Sequence, residues 1–181
     1  MLGKMKCALL AVLLVWCCCC ALSADARPAR LRSRPLDNSD TWNNIMVMAK
    51  HAQAQDRDHE TRLIPVISSD KLKDGDVCCV TIQILDYYLK HILDGQSREG
   101  GERQYPRLHL VKPDLHRVAR DLQPHCNSTQ IDLEHLNTFT QNLKRAGEMY
   151  KNKTKAQNKA IGETDILFHY LYESCRATSA S

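Results

Sequence analysis

Two adjacent cysteines, Cys78 and Cys79, limit the folds open to this chain most sharply. Their Cα atoms lie about 3.8 Å apart across a trans peptide, short of the ~4.4–6.8 Å that ordinary disulfides span. If both are oxidised, they reach two different partners. The oxidising compartment is read from the N-terminus. Lys4 and Lys6 precede an apolar run from Cys7 to Leu22, followed by small residues in ALSADA. That pattern is a secretory signal peptide, expected over residues 1–23 with cleavage after Ser23, or else after Ala26. The run is at the short end of the roughly 17–25 residues a membrane span needs. The mature chain is therefore expected to be soluble and extracellular, without membrane insertion. Cys7 and Cys17 to Cys20 leave with the leader, so Cys78, Cys79, Cys126 and Cys175 remain as two disulfides. Spacing alone does not say which of Cys126 and Cys175 joins which neighbour. Zinc is a poor rival, because no paired C-x₂-C sites occur.

The formal charge is +4, with acids and bases interspersed, so nucleic acid is not an implied partner. The one basic concentration is RPARLRSRP, carrying Arg27, Arg30, Arg32 and Arg34. Residues 24–40 read as a solvated, flexible arm, with weak polyanion binding as its alternative use.

From Thr41 onward the apolar spacing is helical. Trp42, Ile45, Met48 or Ala49, and Ala52 form a first stripe, with Ser39 or Asp40 as cap. After a long connection containing Pro65 and Gly75, Cys79, Ile82, Leu85, Leu89 and Ile92 form a second stripe, ended by Gly95. Leu108, Val111, Leu115, Val118 and Leu122 form a third, with its regular helix expected to begin at Pro113. Leu133, Leu136, Phe139, Leu143 and Ala146 form a fourth. KNKTKAQNK reads as polar and exposed, and NKAIGETDILFHYLYESC reads as a fifth helix through Ile161, Phe168 and Cys175. Gly162 is a weak point inside it, costing about 1 kcal/mol relative to alanine. Five amphipathic helices with long connections at residues 56–76 and 94–106 predict an all-α bundle with crossover connections. Two N-x-[ST] sequons, at Asn127 and Asn152, are expected on the surface as glycosylation sites.

Little in the chain suggests catalysis. Asp56–His59 and Asp132–His135 have carboxylate-x-x-His spacing, but a helical di-metal centre needs further inward glutamates that are missing. Nucleophile elbows, phosphate loops and H-E-x-x-H are absent. No metal, cofactor or catalytic residue is expected, and the chain does not read as an enzyme. A secreted bundle carrying a metal or small ligand is the alternative to a chain that acts by binding another protein.

KAIGETDILF, continuing through HYLYESC to Cys175, resembles the C-terminal signature of the interleukin-10 family of helical cytokines. VCCVTIQILDYYLKHIL resembles the family's third-helix region, and its adjacent cysteines are similar to those of the interleukin-20 subgroup. IMVMAKHAQAQDRDHETRLI resembles that subgroup's first helix and following loop. The resemblance covers Thr41 to Cys175 and implies a cytokine-type helical bundle over residues 41–176, followed by a tail at 177–181. It also implies Cys78–Cys175 and Cys79–Cys126, subject to a one-residue slip. The subgroup's cysteine before the first helix is missing, which frees Cys126 for the doubled pair.

The resemblance further implies a ligand for a class II cytokine receptor pair, one high-affinity chain and one shared chain, with a soluble decoy receptor as a further partner. A monomer is expected, with a domain-swapped dimer as the alternative. Signalling would run through receptor-associated kinases in epithelial defence. The high-affinity site would comprise Glu60 and Arg62 of the first connecting loop with Lys159, Gly162 and Glu163 of the last helix. The shared chain would meet the first and fourth helical segments. On this reading Lys159 and Glu163 flank an exposed docking face, bared by Gly162. The plainer alternatives are an i,i+4 surface pair worth ~0.2–0.5 kcal/mol and a solvated loop arginine.

Overall fold

The computed structural model describes residues 33–73, 75–94, 101, 103–126 and 133–177. The expected leader, residues 24–32, Gly95, Asn127, Asp132 and residues 178–181 lie outside them. Among the described residues there are six α-helices and no strand.

Helix α1 spans Ser39–Ala54 and is capped by Asn38, whose side chain accepts from the Asp40 amide at 2.9 Å. The cap thus falls one residue before the expected serine. Ile45, Met48, Ala49 and Ala52 are buried along the expected stripe. Trp42 stands edge-on to Phe168 and Tyr172, with ring centroids 4.6 and 5.4 Å away. A 3₁₀ turn, Arg34–Asp37, precedes the helix. Pro35 fixes its backbone, Leu36 is buried, and the Trp42 indole donates to the Leu36 carbonyl at 2.9 Å. Ser33 donates to Asp121 at 2.9 Å. Residues 33–38 therefore belong to the folded body rather than to a flexible arm.

Helix α2, Gly75–Tyr87, continues as a π-helical segment, Tyr88–Leu93. It is not the half-exposed helix its stripe suggests. Val77, Val80, Ile84 and Tyr88 are buried as well as Ile82, Leu85 and Leu89, the mark of a helix covered on most sides. It lies against α3 (Leu108–Leu122), α4 (Glu134–Met149) and α6 (Thr164–Ala177). Disulfides Cys78–Cys175 and Cys79–Cys126 tie this central helix to α6 and to the residue after the 3₁₀ turn that follows α3. This is the pairing the family resemblance implies.

Helix α3 begins at Leu108, five residues before the expected start at Pro113. Pro113 is exposed, so it removes one amide donor on the solvent side, while Leu108 and Val111 are buried. Burial of two such side chains outweighs one surface bond.

The expected fifth helix is two helices. Helix α5 spans Lys153–Gly162, Glu163 is a turn, and α6 follows. The supposedly exposed KNKTKAQNK stretch supplies the first turns of α5, where Ala156 and Asn158 are buried. Its main neighbours are α1 and α4.

Candidate functional site

The connection from α1 to α2 crosses the α5–α6 break, and charged side chains fasten it there. Lys159, only 6% exposed, extends its ammonium to the Asp56 carboxylate at 2.7 Å and to the Asp58 carbonyl at 2.6 Å. Glu163, 8% exposed, accepts from the Leu63 amide at 2.9 and 3.1 Å and from the Ile64 amide at 2.8 Å. A non-helical strand of chain so placed has amides that need partners, and one carboxylate supplies them. The Leu63 and Ile64 side chains are buried in the core directly beside it. Burial pushes the Glu163 carboxyl above its ordinary value of 4.5, although the Ile64 and Leu63 amides and the Lys159 charge work in the opposite direction.

Nearer solvent, Asp58 organises the same loop by itself. Its carboxylate accepts from the Thr61 hydroxyl, the Tyr150 hydroxyl at 2.6 Å, the Thr61 amide at 3.0 Å and the Glu60 amide at 3.1 Å. These donors, the Thr61 and Tyr150 hydroxyls foremost, hold its carboxyl well below the usual range. Arg62 donates from Nε to the Ile64 carbonyl at 2.9 Å and from Nη2 to the Tyr170 hydroxyl at 2.8 Å. The same hydroxyl accepts from the Ile67 amide at 3.3 Å. Beyond it, Val66 is 71% exposed.

Gly162 is where α1 meets α5. A Cβ there would lie 3.2 Å from Gln53 Cγ and 3.5 Å from the Gln53 amide nitrogen. Because the helix breaks at Glu163, the Gly162 carbonyl takes a donor from outside, Gln53 Nε2 at 2.6 Å. The Asn158 side chain donates to the Ala52 carbonyl at 2.9 Å.

The five sequence-selected residues thus come together in two layers. Glu60 and Arg62 are exposed on the loop, whereas Lys159, Gly162 and Glu163 are buried beneath it. The exposed docking face read into the latter three is corrected. Nor do Lys159 and Glu163 pair with each other; each reaches a different stretch of the loop. Sequence reasoning missed Asp58, Tyr170 and Gln53. A signal existed for Tyr170, since it lies seven residues after Glu163 and so on the same helical face. Asp56 is bound to Lys159 rather than paired with His59, and no group of three metal-ligating side chains occurs among the described residues.

The comparisons with known proteins agree with this architecture. The profile of the family described as "Interleukin 22 IL-10-related T-cell-derived-inducible factor" matches residues 29–175. This chain belongs to the interleukin-22 family. Human interleukin-22 is 30% identical over 133 residues, 74% of this chain and 70% of the relative. The crystal structure of zebrafish interleukin-22 superposes with a TM-score of 0.67 at 38% identity, covering 80% of this chain and 97% of the other. Membership in the interleukin-22 family makes the chain a helical cytokine and not an enzyme.

Proposed function

We propose that the chain is a secreted cytokine that engages a class II receptor pair, and that the loop from Asp56 to Ile67 is its high-affinity surface. One observation carries the assignment of the loop. Exposed Glu60, and Arg62 bonded back to Ile64 and Tyr170, lie on a segment whose backbone is fixed by buried Lys159 and Glu163. A loop ordered before binding loses less conformational freedom on association, and so binds more tightly for the same contacts. Lys159, Gly162 and Glu163 serve as positioning residues here. The shared receptor chain would meet α1 and α4, bringing two receptor chains together on one monomer and activating their associated kinases. A soluble decoy receptor would compete for the same loop.

The test is binding to immobilised class II receptor ectodomains, with transcription-factor phosphorylation read in receptor-bearing epithelial cells. Glu60→Arg should lower affinity for the high-affinity chain at least about ten-fold, the equivalent of roughly 1.4 kcal/mol, with the melting temperature nearly unchanged, because the Glu60 side chain is exposed and its tie to Asp58 runs through the backbone amide. Unaltered affinity would remove the loop from the interface. Failure to bind any receptor of the class would overturn the cytokine–receptor assignment itself.

A further inference from the structure

An open recess of about 620 Å³ lies beside the outer part of the same loop, a volume within the ~300–1,000 Å³ of small-molecule sites. Asp56 to Asp58, Tyr150 and Lys155 contribute to its lining, and Asn158 does so with its Oδ1 unpartnered. The lining charges have both signs, which suits a neutral, hydroxyl-rich occupant better than an anion or a cation. Asn152 is part of the lining, where the chain reverses from α4 to α5. The reversal uses Lys151 at φ 49° and Asn152 at φ −155°.

Asn152, Lys153 and Thr154 form an N-x-T sequon, and all three are exposed. Asn152 also caps α5, but it does so with one atom. Its Oδ1 accepts from the Thr154 amide at 2.9 Å and from the Lys155 amide at 3.4 Å. Nδ2, the atom that receives a sugar, takes no part in the cap. Glycosylation and capping are therefore compatible at this residue.

We propose that Asn152 carries an N-linked glycan whose first sugar lies in this recess and braces the outer loop. The inference rests on the secretory reading above. In the attachment step a bond forms between Nδ2 and C1 of an N-acetylglucosamine, and the C1–O bond to a lipid pyrophosphate donor breaks. The lipid pyrophosphate departs and the amide nitrogen loses one proton. Once attached, the sugar is tethered at high effective concentration, so weak hydroxyl contacts suffice to hold it. Gln55, Arg57 and Lys155 are exposed lining residues able to donate to its hydroxyls.

The full chain is expressed in eukaryotic cells with Asn127→Gln, so that Asn152 is the remaining sequon. Thr154→Ala removes the sequon while keeping the cap, and Thr154→Ser retains both. Intact mass should show one glycan on the parent and the serine variant, and none on the alanine variant. Amide exchange over residues 55–61 should be several-fold slower with the glycan, and should stay slow after an endoglycosidase trims it to a single sugar. Secreted protein with a bare Asn152 overturns the proposal and leaves the secretory reading standing. A glycan that does not change exchange in the loop overturns its seat in the recess. Protein retained in the cytosol with no glycan overturns both.

Discussion

The two ends of α6 are secured by opposite means. At its C-terminal end Cys175 is bonded to Cys78 of the central helix, a covalent tie that does not titrate. At its N-terminal end Glu163, in the turn that precedes the helix, holds the Leu63 and Ile64 amides of a loop about one hundred residues away in sequence. The disulfide limits the unfolded chain as much as it fixes the folded one. The carboxylate has no such global reach. It helps to hold one surface loop, and that loop is the one proposed to meet the receptor. The contrast separates a tie that governs overall stability from one proposed to govern binding.

The largest expected effect breaks the covalent end. Replacing Cys78 and Cys175 together by serine should cost ~2–5 kcal/mol, since the bond closes a long loop. Thermal unfolding reads the loss. Below the lowered melting temperature the loop should remain ordered and receptor affinity should be largely retained.

Breaking the charged end should cost less stability and more receptor affinity. In Glu163→Gln the amide group offers one carbonyl oxygen where the carboxylate offered two. The amides then left without a full partner should cost ~1–3 kcal/mol. The pH dependence sharpens the distinction. The raised Glu163 carboxyl adds stability that is fully present below its ordinary value of 4.5 and is lost as pH rises through its higher folded value. Asp58 has the opposite sign, because its lowered carboxyl gives stability present above the usual carboxylate range and lost as pH falls. Glu163→Gln should therefore flatten the stability profile on the alkaline side of pH 4.5 while leaving the acid loss due to Asp58. Melting temperatures over a pH series check both limbs. A variant profile parallel to the parent's would show that Glu163 does not titrate as its burial dictates.

The smallest effect concerns Gly162. Alanine there gains up to about 1 kcal/mol of helix propensity, but its Cβ meets Gln53 Cγ at 3.2 Å. Gln53 Cγ must give by a few tenths of an ångström while its Nε2 is bonded to the Gly162 carbonyl, so the two effects oppose and Gly162→Ala should change stability by less than about 1 kcal/mol. A larger side chain would also press on the Gln53 backbone and should be clearly destabilising. Denaturant midpoints distinguish the two.

The stripes at Ile45, Met48 and Ala52, and at Leu108 to Leu122, were legible because burial on one face writes a 3.6-residue period directly into the sequence. The same period hid the break at Glu163. Ile161, Phe168 and Cys175 keep a seven-residue spacing across it, so the sequence reads as a single helix. The burial of Lys159 and Glu163 was illegible for a different reason. Spacing places a residue on a face, but whether that face is covered depends here on a loop distant in sequence. Charged side chains are usually solvated; the Asp56 carboxylate and Asp58 carbonyl reverse that expectation for Lys159, and the Leu63 and Ile64 amides for Glu163. The partners of Cys78 and Cys79 came from the family resemblance, not from spacing.

Glu163 is proposed to act on a receptor through the loop it holds. The most direct test is paired measurement, on Glu163→Gln and parent protein, of Leu63 and Ile64 amide exchange and of dissociation from the high-affinity receptor chain. If the loop carries the effect, exchange at both amides and dissociation become faster together. Faster exchange with unchanged dissociation would contradict it.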